Sequence, residues 1–428
     1  MVFKTIKELC DVVKGNTPIS KAVAGEFPLV VTAEERKTNE EFQFDTKAVI
    51  IPLVSSTGHG HASLKRIHYQ EGKFAVGTIL CAVIPKDEKV LNAKFLYYYL
   101  NLVKERELVS RMRGMANVTL SMTEIKKVAI PVLSIKEQLD FVEFYEKIEK
   151  DSKRISSELS HQLEIITDLR QSFLREAMQG KLVSNKTKDG STGADLLEGV
   201  TSMGLIMRSL EGKREKKITP VTDDGIPFDI PENWVWCRLG EIINYADNLN
   251  IQKIFSPETL INYVDIDSID NQNYIIKEPK KKKVNELSSR ARRVLKKDYI
   301  VYSTVRPYLK NIAIIKENLE NYIGSTGFVV FKTIMVKKEY VFYFLLNPDL
   351  NKDYEDKMIG FNSPSITNRM FEETLIPLPP LEIQIRIVEK LDELKGYCDQ
   401  LEASVRESME TNELLLQQVL REALEVKV

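Results

Sequence analysis

The sequence predicts an α+β protein: two α/β blocks separated by two long helices that form an antiparallel coiled coil, with a pseudo-twofold internal repeat. Three observations predict it. LREA at 174–177 returns at 420–423, an offset of 246 residues, and the same offset lays IPVLSIKEQL (130–139) on IPLPPLEIQI (376–385). Within each copy the apolar residues step at the period of a coiled coil. Sequence without that period, of globular composition, precedes each periodic stretch.

The first block covers residues 1–133. Its TIKEL (5–9) resembles RLGEI (238–242), and KFLYYYL (94–100) resembles EYVFYFL (339–345), each an apolar, aromatic-rich helix or strand. RMRGMANVTLSMTEI (111–125) leads into the first periodic stretch as MIGFNSPSITNRMF (358–371) leads into the second. Gly114 and Gly360 keep the common offset.

Residues 134–182 form the central helix. From Ile135 to Ala177 the apolar stripe takes twelve steps over 42 residues, an average of 3.5, the coiled-coil period rather than 3.6. Leu139, Val142, Ile155, Leu159, Ile166 and Phe173 mark the expected seam. Residues 183–233 read as a linker with one short helix, opened by the polar SNKTKDGSTG (184–193) and closed by the proline-bearing ITPVTDDGIPFDIPENW (218–234). The second block covers 234–379, and 380–428 is the C-terminal helix, with its seam at Ile385, Val388, Leu401, Val405, Leu415 and Val419. A helix with only a seam apolar needs a partner, and the matched registers make these two helices each other's partner. Ser152 and Asn412 are polar seam positions suited to fixing register.

Composition narrows the function classes. At 43% apolar residues the chain is of ordinary globular type, and no apolar run approaches the ~18–20 residues of a membrane span. The N-terminus lacks the layout of a secretion signal. Four cysteines lie far apart without a CxxC pair, as for reduced thiols in a cytoplasmic protein. The net charge of −1 hides an alternation. Residues 1–133 carry 19 Lys/Arg against 14 Asp/Glu, residues 234–379 carry 21 against 18, and the remainder 21 against 30. Two basic blocks alternate with two acidic segments.

Motifs for chemistry are missing. There is no GxxxxGK[ST] loop, no GxGxxG and no GxSxG. NPDL (347–350) lacks the second proline and the aromatic of an amino-methyltransferase tetrad, and reads as a turn. His59, His61 and His68 sit in TGHGHASLKRIH (57–68), yet no carboxylate or cysteine completes a metal set at ligand spacing. We expect no metal and no catalytic residue, and read the turn as a polar loop tip that touches a ligand or nucleic acid.

Nucleic-acid signals are stronger. KEPKKKKVNELSSRARRVLKK (277–297) holds ten Lys/Arg against two Glu. Its Lys280, Lys281, Lys282, Lys283, Arg290, Arg292 and Arg293 are the candidate contacts, followed by Arg306, Lys310 and Arg369. The first block offers Lys65, Arg66, Arg111, Arg113 and Asn117. Phosphates take mobile cations and guanidinium groups, and base edges take Arg or Asn.

Together, GIPFDIPENWVWCRLGEI (225–242) and PLPPLEIQIRIVEKLDEL (377–394) resemble the specificity subunit of type I restriction–modification systems, and the likeness runs over nearly the whole chain. The first block lacks an IPFDIPENW-like lead-in, a departure that the family's quasi-circular arrangement tolerates. The resemblance implies that each block is a target recognition domain reading one half of a bipartite double-stranded DNA sequence. The helices would be the spacer and would dock two modification subunits. S-adenosylmethionine, ATP and Mg would then belong to those and to the restriction (translocase) subunits, with no cofactor in this chain. Two other classes stay open: a fused methyltransferase-specificity enzyme, and a coiled-coil scaffold whose blocks bind protein.

Overall fold

The computed structural model describes residues 2–57, 61–115, 117–210, 219–222, 225–318 and 320–425, with the side chains of 420, 421 and 423–425 left aside. His59 lies outside these residues. The chain divides into two units, Met1–Gln162 with Val405–Val428, and Leu163–Ser404.

Each unit contains a block whose two ends are tied together. In the first, Phe3–Thr5 runs antiparallel to Ala129–Pro131; in the second, Val235–Arg238 runs antiparallel to Leu375–Leu378. A one-turn helix follows each opening strand, at Ile6–Leu9 and Leu239–Ile242. The backbone N–H of Thr5 donates to Glu8 and that of Arg238 to Glu241, both at 2.7 Å. The kinship of TIKEL and RLGEI is therefore a shared glutamate cap on a helix start.

Each block then builds two four-stranded sheets in one order. The first block has Cys10–Lys14, Leu80–Pro85, Ala48–Pro52 and His68–Gln70 side by side. Its second sheet runs Lys37–Asn39, Phe27–Val30, Lys73–Val76, Phe44–Asp45. The second block repeats this as Ile243–Tyr245, Phe328–Thr333, Ile300–Ser303, Ile312–Ile314. Its other sheet is Lys280–Lys283, Leu260–Val264, Tyr322–Ser325, Ala291–Val294. In both second sheets the central pair is parallel and the other contacts antiparallel. The repeat is thus complete in topology where the sequence shows only echoes.

The aromatic segments are helices, Ala93–Leu102 and Lys338–Leu345. They pack on the long helices, with Tyr98 stacked on Tyr145 at 3.9 Å between centroids. The repeated glutamine explains how block and helix are held together. Gln138 and Gln384 are fully buried. Gln138 accepts from the Asn92 N–H at 2.8 Å and donates to the carbonyls of Val90 and Leu133. Gln384 accepts from the Lys337 N–H at 2.9 Å and donates to the Pro379 carbonyl. Each amide ties a backbone group at the start of the aromatic helix to one just before its own long helix, groups that burial would otherwise leave unpaired.

The long helices are Ile135–Met178 and Leu381–Glu425. Gly180, at φ +69°, ends the first in the left-handed conformation that glycine adopts without a Cβ clash. Within the first unit, Leu416 packs on the cluster of Phe141, Val142 and Tyr145, while Asn412 meets Ser152 and Ser156 further along. Within the second, Arg170 reaches Asp399 at 2.7 Å and Glu402 at 3.1 Å, while Phe173 and Leu174 pack on the cluster holding Val388 and Leu391. In each unit the two helix segments run antiparallel.

The seam is shifted from the expected one at several positions. Val142, Ile166, Val388 and Val405 are buried, and Leu159, Phe173 and Val419 half-buried, but Leu139, Ile155, Ile385, Leu401 and Leu415 are exposed. The inward positions form strict heptad lines: Gln138, Tyr145, Ser152, Leu159, Ile166, Phe173 on one helix, and Gln384, Leu391, Cys398, Val405, Asn412, Val419 on the other. A second line includes Ser156 and Arg170, and on the other helix Glu402 and Leu416. Counting apolar residues steps over the polar members and lands on an aliphatic neighbour one residue away.

The described residues that follow the first long helix are packed rather than slack. Gly193–Leu210 is a helix with Val200 fully buried, and Asn185 bonds Gly180, Asn233 and Trp234.

Candidate nucleic-acid interface

The basic run of the second block falls on the two edge strands of one sheet, where lysines also serve to block edge-to-edge pairing. Lys280 is held by Asp265 at 2.6 Å and Asp267 at 3.3 Å, and Lys283 by Glu258 at 2.6 Å. Lys282 is half-buried, whereas Lys281 and Arg290 are exposed. Arg292 is exposed and donates to the Ser289 carbonyl at 2.7 Å. Arg293 departs from the expectation. It is only 8% exposed, its Nε has no partner, and burial lowers its pKa against the opposing influence of nearby Tyr245. Alternation along the strand sends this one guanidinium inward, away from the exposed edge that carries Arg292.

A second cationic locus is built by two loops. Arg306 and Lys310 adopt φ of +49° and +52° on either side of the turn Pro307–Leu309, a conformation that costs a non-glycine residue roughly 1 kcal/mol or more. The Arg306 N–H donates to the Pro364 carbonyl at 2.8 Å, and its guanidinium to that of Asn362 at 3.2 Å. Burial lowers the pKa of Lys310, opposed by Glu355. Across from this turn the chain folds back on itself: Ile359 and Ser365 exchange two backbone hydrogen bonds, with Gly360 at φ +106°. Arg369 lies on the next helix and pairs with Glu373 at 2.8 Å.

The first block repeats this hairpin. Arg113 and Thr119 exchange bonds of 2.9 and 2.8 Å, Gly114 has φ +131°, and the Ser55 N–H donates to the Val118 carbonyl as Arg306 does to Pro364. Here the arginines divide by partner. Arg66 pairs with Glu34, and Arg111 with Glu107 at 3.1 Å and with Glu124. Arg113 instead donates to the carbonyls of Ser110 and Met112, which hold its position, and interacts with Glu124 through its charge without a direct ion pair. Arg306 is likewise held by a carbonyl. Lys65 and Asn117 are exposed.

His61 is exposed on the neighbouring loop, where Ser55 donates to its carbonyl at 2.6 Å. His68 is buried with its Nδ1 3.1 Å from Arg36; burial, then Arg36 and Arg66, push its pKa down to about 4. Its ring is therefore neutral at pH 7. Among the described residues no group of three or more His, Cys, Asp or Glu could hold a metal ion, and no helix is long and apolar enough to cross a membrane. The four cysteines are free and buried.

What the sequence did not single out are the hairpin tips themselves. Met115 is 95% exposed and Phe361 fully so, and they occupy equivalent places. The shared offset of Gly114 and Gly360 was the available signal.

A family model described as the type I restriction modification DNA specificity domain matches residues 1–164 and 231–411. The chain is 27% identical over 262 residues to the type I restriction enzyme EcoAI specificity subunit of Escherichia coli, covering 57% of this chain and 42% of that one. It is 23% identical over 430 residues to the EcoDI specificity subunit of the same organism, covering 98% of this chain and 87% of that one. The match to EcoAI thus spans less than half of that relative's length. Among solved structures, a chain from work on the assembly and conformational transition of the type I R-M system aligns with a TM-score of 0.64 at 16% identity. That alignment covers 99% of this chain and 97% of the other, a likeness of fold.

Proposed function

The chain belongs to the type I restriction–modification DNA specificity family, and on that premise we propose that it is a non-catalytic, cytoplasmic specificity subunit. Residues 1–133 and 234–379 are its two target recognition domains, each reading one half of a bipartite double-stranded DNA target. Residues 134–182 and 380–428 are the spacer helices, with 183–233 the linker between the halves. The observation that carries this reading is the duplication of one block, with the same strand order and the same backbone-bonded hairpin in both copies. Two copies of one reader suit a target in two parts.

The helices also dock two modification subunits. Leu139, Ile155 and Leu169 are exposed on one helix, and their repeat equivalents Ile385, Leu401 and Leu415 on the other. Aliphatic positions kept outside the seam in both copies fit a pair of identical protein partners. Those partners carry S-adenosylmethionine, and restriction subunits carry ATP and Mg.

Mapping methylated adenines in DNA from cells expressing the system tests the reading directly. One split motif with a fixed gap is expected, and random methylation or none would overturn it. Retention on target DNA should also fall steeply with salt through counterion release; flat salt behaviour would return the blocks to protein binding. S-adenosylmethionine binding by the chain alone would instead favour a fused enzyme.

A further inference from the structure

The hairpin tips carry the least expected side chains on either block. Gly114 is followed by Met115 and Gly360 by Phe361, each almost wholly in water. Neither tip is a slack loop. In the first block Arg113 and Thr119 exchange two backbone bonds, and Leu120 donates to the Leu53 carbonyl at 3.0 Å. In the second, Ile359 and Ser365 exchange two bonds, and Ile366 donates to Thr304 at 3.0 Å. The glycines are required by the turn. A Cβ at Gly114 would lie 2.2 Å from the Asn117 carbonyl oxygen, and both residues have φ that L side chains avoid. One backbone device, used twice, holds one apolar side chain out in water.

Exposing a large apolar group costs solvation and contributes nothing to the fold. The surroundings indicate the occupant. Polar residues flank both tips, Asn117 in the first hairpin and Asn362 and Ser363 in the second, and Ile359, 64% exposed, shares the second hairpin with Phe361. Arg113 lies at the base of the first hairpin and Arg306 in the turn facing the second, and both guanidinium groups donate to backbone carbonyls. A projecting Met or Phe with hydrogen-bonding and cationic neighbours has the composition of a wedge for the groove of duplex DNA.

We propose that Met115 and Phe361 are such wedges, each entering its own half-site and partly unstacking one base step. This rests on the DNA-reading function above. Arg113 and Arg306 then anchor the flanking phosphates, and the step that opens most easily is preferred, so specificity arises without hydrogen bonds at that position.

The test uses the full chain with its modification subunits and duplexes of the methylation-mapped target, with 2-aminopurine placed at successive positions other than the methylated adenine. Wild-type protein should raise the fluorescence at one step in each half-site. Met115→Ala should abolish the rise in one half-site only and Phe361→Ala in the other. Each should weaken target binding about tenfold with the salt slope unchanged. Met115→Phe and Phe361→Met should keep the signal, and thermal unfolding should not move. If wild-type protein prefers its target but the alanine variants bind and report as it does, the wedge is wrong while the reading stands. Loss of subunit assembly in the alanine variants would make the tips protein contacts and overturn it too. No target preference by the wild type would sink the DNA reading and the wedge with it.

Discussion

At the scale of single residues, the same charge has different uses according to where the backbone puts it. Arg290 is exposed and Arg293 is buried, three positions apart on one strand and its lead-in. Arg290→Ala should leave folding unchanged and reduce the salt slope of DNA binding by ~1, the signature of one lost phosphate contact. Arg293→Ala should lower stability by about 1–3 kcal/mol through the lost packing of its buried stem. Denaturation and salt titration of both variants separate the two roles, and equal DNA effects would show that Arg293 moves outward to bind. His68 gives a pH dependence of defined sign. Its folded pKa of about 4 lies below the ordinary 6.5, so the unfolded chain binds the extra proton first. The stability it supports is intact above pH ~6.5 and drains away as pH falls toward ~4, at no more than about 1.4 kcal/mol per unit. His68→Gln should flatten that stretch of the first block's acid-unfolding profile.

At the scale of elements, the seam shows what the sequence makes legible. Periodicity locates both long helices and their matched register because heptad repetition survives over six turns or more. Ser152 and Asn412, picked out as polar seam residues, do meet: the Asn412 amide donates to Ser152 Oγ at 3.1 Å and Ser156 Oγ at 2.9 Å. The inward positions Gln138, Ser156 and Arg170 were not legible, because an average step of 3.5 cannot choose between adjacent residues and the polar one looks like the outside. The basic run misled in the opposite way. Lys280 and Lys283 have acidic partners distant in sequence, and which strand face Arg293 occupies depends on a pairing that composition does not encode. The repeat equivalents of Ser152 and Asn412 are Cys398 and Ile166, both buried and with less capacity to bond. Asn412→Leu should therefore raise stability by roughly 1 kcal/mol while loosening register, since a satisfied polar seam residue specifies alignment at some cost in stability. Disulfide trapping between cysteines placed along the two helices reads the result: one register in the parent, several in the variant. A single register in both would assign alignment to the blocks instead.

At the scale of the whole molecule, the proposed ruler makes a demand that two matched helices alone do not satisfy. Removing residues 153–159 together with 405–411 deletes one heptad from each helix and keeps every remaining seam residue in phase. At ~1.5 Å per residue the loss is about 10 Å, close to three base pairs of DNA. The rotations differ. A heptad of a two-stranded coil advances only about 25° around a pitch of ~150 Å, whereas three base pairs turn the duplex by roughly 100°. A gap three pairs shorter therefore restores the distance between half-sites but not their facing. The shortened protein should prefer that gap over the original, bind it more weakly than the parent binds its own, and keep both half-site sequences unchanged. Selection from a duplex library with both half-sites fixed and the gap varied measures all three. An unchanged gap preference would mean that the blocks, not the helices, set the spacing; altered half-sites would mean that the helices shape recognition itself.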